Sequence, residues 1–158
     1  MKTGHTEAAG YCLVSSAVRD GMRLISIVLG TASDKTRIAE SQRLLNYGYR
    51  FFRTERVYAA GESISEARVW MGRQASIPLG VEEDLWLTLP RDDFERLESR
   101  IEVSDYIRAP TRIGEELGRS VLSSGSGVVR EVPLLALQKV EEGGIFLRMR
   151  HSIMRHFR

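Results

Sequence analysis

Apolar and polar positions change period along the chain, and each change marks a different kind of structure. Residues 4 to 18 alternate loosely and run into Arg19-Asp20-Gly21, where Asp-Gly between two apolar runs signals a hairpin. The second run, Met22 to Leu29, holds Leu24, Ile25, Ile27, Val28 and Leu29 with almost no polar interruption, the pattern of a strand covered on both faces. Two antiparallel strands cannot bury such a run alone, so a larger sheet and packing helices are expected around it. Gly30 to Asp34 makes a turn and a helix start, with Ser33 or Asp34 placed to cap the first free N–H groups. The helix is predicted to reach about Phe52, presenting Ile38, Leu45 and Phe52 at seven-residue spacing with Ser41 and Gly48 on the same stripe. Gly48 costs about 1 kcal/mol of helix propensity relative to alanine, which fits a helix that must approach the sheet closely there.

From Arg53 the pattern turns to short strands. They are predicted at 56–59, 67–72, 75–79, 85–89, 101–107, 116–123, 128–132 and 134–140, with turn signals such as Gly72-Arg73, Pro90-Arg-Asp92 and the Ser/Gly run from Ser123 to Gly127. Recurrence about every ten residues argues for a small antiparallel sandwich, in which Pro133 marks an edge or bulge. The last segment, Ile145 to Arg158, is helical in period: Phe146, Met149, Ile153 and Phe157 fall on one face, and Arg148, His151, Arg155 and Arg158 on the other. As a helix it spans about 20 Å, short of the roughly 30 Å hydrocarbon core, so it cannot cross a membrane. The pattern therefore divides the chain at 1–53, 54–143 and 144–158.

Composition narrows the class. Of 158 residues, 42% are hydrophobic and 28% charged, which suits a core-forming chain and argues against disorder. A net charge of +2 is too small for a nucleic-acid surface, so no nucleic-acid partner is expected. The single cysteine, Cys12, excludes an internal disulfide and a Cys-based zinc site, and its neighbours Tyr11, Leu13 and Val14 mark it as a buried strand residue. His151 and His156 are five apart and would not share a metal on a helix, so neither metal nor cofactor is expected.

The chemistry lies at the start. Lys2-Thr3-Gly4 leads into His5-Thr6-Glu7-Ala8-Ala9-Gly10-Tyr11-Cys12-Leu13-Val14, then Gly21 to Gly30, then a helix carrying Arg37 and Ala39-Glu40-Ser41. This run resembles the end of the catalytic domain of low-molecular-mass penicillin-binding proteins, the serine-type D-Ala-D-Ala carboxypeptidases, and the resemblance continues to the C-terminus. In that family a Lys-Thr-Gly strand works with a Ser-x-x-Lys nucleophile motif and a Ser-x-Asn motif. The resemblance implies an α+β fold: part of a transpeptidase-like catalytic domain of two strands and a helix, then the β-sandwich as a stalk, then an amphipathic anchor.

It also implies roles. Lys2, Thr3 and Arg37 would hold the terminal carboxylate of a peptidoglycan pentapeptide, Arg37 through its planar fork. Gly4 would let the substrate backbone lie against the strand edge, and the backbone N–H of His5 would supply half of the oxyanion hole. Phe146, Met149, Ile153 and Phe157, with Arg148 and Arg155, would seat the chain on the inner membrane from its periplasmic side. The family's Ser-x-x-Lys and Ser-x-Asn motifs have no counterpart here: Ser15-Ser16-Ala17-Val18 and Ser120-Val121-Leu122-Ser123 lack the lysine. The chain alone is accordingly expected to be inactive, and β-lactams would acylate a serine it does not contain. Since the Lys-Thr-Gly motif belongs deep in a catalytic domain, the export signal is expected upstream of Met1. A class A β-lactamase is disfavoured by the second domain and the anchor. The alternative from another class is a non-catalytic, membrane-associated β-domain acting as a scaffold or interaction module.

Overall fold

The computed structural model describes residues 1–125 and 127–144. Strands dominate it, and they fall into two compact units, Met1–Glu55 with Thr88–Asp92, and Arg56–Leu87 with the chain from Asp93 onward.

In the first unit, β1 (Lys2–Thr6), β2 (Gly10–Arg19) and β3 (Met22–Thr31) form an antiparallel sheet in that order. Asp20 and Gly21 both take positive φ, 49° and 79°, the signature of the hairpin turn that the Asp-Gly pair predicts. The stretch read as one alternating run is two strands joined by a turn, so Lys2-Thr3-Gly4 occupies a separate edge strand. The helix α1 (Asp34–Phe51) starts where expected, because Ser33 Oγ accepts from Thr36 N at 3.1 Å.

Helix α1 covers one face of the sheet, where Leu13, Met22, Ser26 and Val28 are buried against Ser41 and Tyr49. Three hydroxyls close a ring between the layers: Ser15 to Ser26 at 2.8 Å, Ser15 to Ser41 at 2.7 Å and Ser26 to Ser41 at 2.6 Å. A methyl on Gly48 would collide with Leu24 Cδ1, so the close approach read from that glycine is present. The buried stripe keeps Ser41 of the expected one, with Leu45 and Gly48 half-buried on it, but departs from it at its ends and at Tyr49. Ile38 is 44% exposed, Phe52 lies outside the helix, and the buried positions are Ser41 and Tyr49. Tyr49 lies eight residues after Ser41, within reach of the same face, and Arg19 at the hairpin end lies over its ring, 4.5 Å from the centroid. Cys12 is only half-buried.

Among the described residues β3 is covered on one face only, so the larger sheet and packing helices that its pattern calls for are not supplied by them. Ile25, Ile27 and Leu29 are 65%, 61% and 69% exposed, with Val14 and Val18 beside them on the outer face. A single helix can lie on only one side of a sheet, and no second layer exists among the described residues.

Beyond α1 come β4 (Phe52–Tyr58), β5 (Ser65–Trp70), β6 (Ser76–Gly80), β7 (Leu85–Pro90), α2 (Arg91–Glu95), β8 (Glu98–Val103), β9 (Ile107–Arg108), β10 (Glu116–Ser124) and β11 (Gly127–Ala136). Six of them form one sheet in the order β8-β10-β11-β6-β5-β9, and β4 pairs with β7. Ala67 and Val69, Ile77 and Leu79, and Leu134 and Ala136 alternate along β5, β6 and β11, joining Ile107, Ala109, Leu117 and Val140 in the core. Against the all-antiparallel sandwich expected, β5 and β9 pair in parallel. Pro133 does not break the chain into two strands. It sits within β11 opposite Arg119, and β6 meets β11 only at Leu135 and Ala136, so a missing N–H at Pro133 leaves no ladder bond unmade on that side.

Candidate functional site: an open edge strand

Strand β1 is the outer strand of its sheet, paired only with β2 among the described residues, and all five of its residues are exposed. Side chains alternate along it, so Lys2 and Gly4 stand on one face and Thr3 and His5 on the other. A ligand that meets both Lys2 and Thr3 must therefore lie along the strand's free edge. A Cβ added at Gly4 would meet nothing within 4 Å, which leaves the space beside the backbone open at that point. Lys2 makes no ion pair among the described residues, so its ammonium is not committed elsewhere.

The strand is held by its neighbours. Lys2 to Thr6 pair with Val14 back to Gly10 in unbroken register. Gly10 turns the chain with φ 63°, and a side chain there would press against Thr31 O at 2.9 Å, so both conformation and space demand glycine. The His5 ring lies 4.0 Å from that of its cross-strand partner Tyr11. Thr31 Oγ1 donates to Tyr11 O at 3.0 Å and ties the start of β2 to the end of β3.

Arg37, in the first turn of α1, reaches this strand. Its Nη1 donates to the carbonyl oxygens of Gly4 and Cys12, both at 3.1 Å, and its guanidinium lies 5.5 Å from the Tyr11 ring centroid. Cys12 falls where the register between β2 and β3 shifts, and its carbonyl takes the arginine there. Nη2 pairs with Asp34, and Nε is buried without a partner among the described residues. Only 12% of the side chain is exposed. The carboxylate that Arg37 holds in this structure is thus Asp34's own, and the guanidinium fastens the Lys-Thr-Gly strand to the helix. Sequence reading selected Arg37 but not Asp34, Tyr11 or the Cys12 carbonyl. The i, i+3 spacing of Asp34 and Arg37 was the available signal for the first of these.

The arrangement can bind an extended anionic peptide end: a free strand edge for its backbone, an ammonium and a hydroxyl for its carboxylate, and a rigid support beneath. No group of three or more His, Cys, Asp or Glu able to hold a metal occurs among the described residues, and no described helix is long and apolar enough to cross a membrane. Phe146, Arg148, Met149, Ile153, Arg155 and Phe157 lie outside the described residues.

A family model described as "Penicillin-binding protein 5, C-terminal domain" matches residues 52–142, and one described as D-alanyl-D-alanine carboxypeptidase matches residues 1–33. The chain is 36% identical to D-alanyl-D-alanine carboxypeptidase DacC of Escherichia coli K12 over 158 residues, covering 99% of this chain and 40% of that protein. It is 38% identical to DacA of the same organism over 147 residues, covering 92% of this chain and 36% of the relative. Among solved structures it is similar to penicillin binding protein 5 from Haemophilus influenzae, with a TM-score of 0.76 and 37% identity over 90% of this chain and 42% of the other. For DacD from Francisella tularensis the TM-score is 0.63 and the identity 32%, over 90% of this chain and 36% of the other. The chain spans about two fifths of the length of these curated relatives.

Proposed function

The chain belongs to the family with a penicillin-binding protein 5 type of C-terminal domain, as a C-terminal portion of a low-molecular-mass penicillin-binding protein, and from that premise we propose that it serves a serine-type D-Ala-D-Ala carboxypeptidase. The substrate is the peptidoglycan stem pentapeptide, and the reaction removes its terminal D-Ala.

The observation that carries this reading is the exposed Lys2-Thr3-Gly4 edge, open beside Gly4 and braced from below by Arg37. The terminal carboxylate sits between Lys2 Nζ and Thr3 Oγ1, and the scissile carbonyl points at the His5 N–H. A serine from the longer protein attacks that carbonyl; its Oγ–C bond forms, the C–N bond to D-Ala breaks, and the leaving amine takes a proton. Water then releases the shortened peptide. A β-lactam acylates the same serine. Arg37 contributes its charge to the carboxylate in competition with Asp34, while keeping the strand in place. Without nucleophile and base the chain alone is inactive.

The same reading accounts for the open face of β3. In a longer enzyme, further elements cover Ile25, Ile27 and Leu29, as so much exposed branched apolar surface requires. Residues 1–53 form a wall of the site, 54–143 a stalk, and 144–158 an anchor on the periplasmic side of the inner membrane. Four arginines and no acid after Glu142 support that last assignment.

D-Ala release from a D-Ala-D-Ala peptide, measured for a form extended upstream, tests the reading. Lys2→Ala in that form is expected to lower kcat/KM at least tenfold, about the worth of one charge-assisted contact. An unchanged kcat/KM would remove the Lys-Thr-Gly strand from the site.

A further inference from the structure

Two aromatic rings and two arginines share one surface of the β-rich unit. Alternation puts Ala67, Val69 and Ile107 in the core, so Arg68, Trp70 and Arg108 face outward along β5 and its edge partner β9. Val69 pairs with Ile107, and Trp70 with Arg108. Tyr106, 43% exposed, stacks on Trp70 with ring centroids 6.1 Å apart, and the Arg68 guanidinium lies 4.1 Å from the Trp70 centroid. Neither Arg68 nor Arg108 forms an ion pair among the described residues. Glu66 and Asp105 are exposed at the margins, so the patch is amphipathic rather than cationic.

This patch is fixed relative to the start of the basic C-terminal segment. Met71 takes φ 60°, a conformation unfavourable for a long side chain, and turns the chain out of β5. The turn is fastened to the last described residues. Gly143 N donates to Met71 O at 2.7 Å, Arg73 N donates to Glu141 O at 2.9 Å, and Gly72 forms an antiparallel bridge with Glu142. A Cβ on Gly72 would lie 2.6 Å from Val140 Cγ1, so the turn packs directly on that segment. Trp70 is therefore the chain neighbour of the residue that holds Gly143, and the run 145–158, with four arginines and no acid, begins two residues after that tie.

A single weak signal attaches a protein to lipid only reversibly, and stable attachment takes two. Tryptophan and tyrosine settle at the membrane–water interface, where the ring is in apolar surroundings and its polar edge stays wet. An arginine lying over such a ring keeps its head among phosphates while its stem covers apolar surface. We propose that Arg68, Trp70, Tyr106 and Arg108 form a second membrane contact, lying at the headgroup level of an anionic phospholipid surface when residues 145–158 engage it. The inference rests on the anchor assignment made above: the C-terminal segment supplies the preference for anionic lipid, and the rings supply apolar area.

The chain's two tryptophans make the test internal. Trp86 lines a groove with Val81 and Leu135, and Val81 is five residues along from Ser76, the cross-strand partner of Arg68, about 17 Å away. The whole chain is mixed with phosphatidylcholine–phosphatidylglycerol vesicles carrying brominated acyl chains, once as Trp86→Phe, which leaves Trp70 as the emitter, and once as Trp70→Phe, which leaves Trp86. Co-sedimentation reads binding, and quenching reads contact. Trp70 emission is expected to shift to the blue and be quenched, and Trp86 emission to do neither. The exposed pair Tyr106→Ser with Arg108→Gln should lower the partition coefficient about tenfold, with the circular dichroism of the free chain unchanged. Sedimentation with Trp70 unquenched, with both tryptophans quenched equally, or with partition unchanged in the double variant overturns the second contact and leaves the anchor standing. No sedimentation at all overturns both.

Discussion

An added methyl group meets a flexible neighbour at Gly48 and a rigid one at Gly118, and the difference sets the sign of each substitution. At Gly48 the obstacle is the end of the Leu24 side chain, which can swing aside, and alanine recovers about 1 kcal/mol of helix propensity. At Gly118 the obstacle is the backbone of β8, with Glu102 O at 2.5 Å and Val103 Cα at 3.1 Å. Gly48→Ala is therefore expected to change stability by less than about 1 kcal/mol, and Gly118→Ala to lower it by about 2 to 3 kcal/mol. Urea unfolding followed by circular dichroism separates them; equal midpoints would contradict the packing described. At this scale the sequence was legible wherever local chemistry decides. Ser33 reads as a cap because its hydroxyl needs only Thr36 N, three residues on. The close approach at Gly48 reads from its cost. Tyr49 was legible only in part: it lies within reach of the Ser41 face, but its ring and carbonyl are met by Arg19 and by the returning Arg91, residues thirty and forty-two positions away.

Among elements, the best-defined electrostatic ladder crosses β8, β10 and β11. Arg119 lies opposite Glu102, donating to it at 2.7 Å, and reaches Glu131 at 3.3 Å, while Arg100 pairs with Glu102 at 2.6 Å. The bond from Arg119, and then the charges of Arg119 and Arg100, hold the Glu102 carboxyl below its ordinary value. A depressed carboxyl contributes stability above its unfolded pKa of about 4.5 and loses it as pH falls through the lower folded value. Melting temperature should thus decline as pH falls below about 4.5, and Glu102→Gln should flatten that decline. Both effects should shrink in high salt, because the groups are exposed. A decline of the same steepness in the variant would remove Glu102 as a contributor. Element existence was largely legible from alternation and turn residues. Pairing was not: the parallel β5–β9 contact and the continuity of β11 through Pro133 depend on which strands lie alongside, and period cannot encode that.

Considered as a whole, the chain joins two units that answer different physical problems. The β-rich unit closes a core of its own around Ile77, Leu79, Leu134 and Val140, all with no exposed surface. The first unit, even with Thr88–Asp92, leaves the outer face of β3 open, because one helix covers one side of a sheet. That return of 88–92 has no signature in the sequence, since a short strand beside a distant one looks the same as a strand within its own neighbourhood. The Lys-Thr-Gly motif was legible from resemblance, and its place on a separate edge strand came only with the fold. The central claim is that this edge is one wall of an acyl-transfer site whose serine lies in a longer protein. Gel fluorescence after incubation with a fluorescent penicillin tests it most directly, comparing this chain with a form extended upstream. Covalent label on the extended form alone is the predicted result, and absence of label on both would contradict the account.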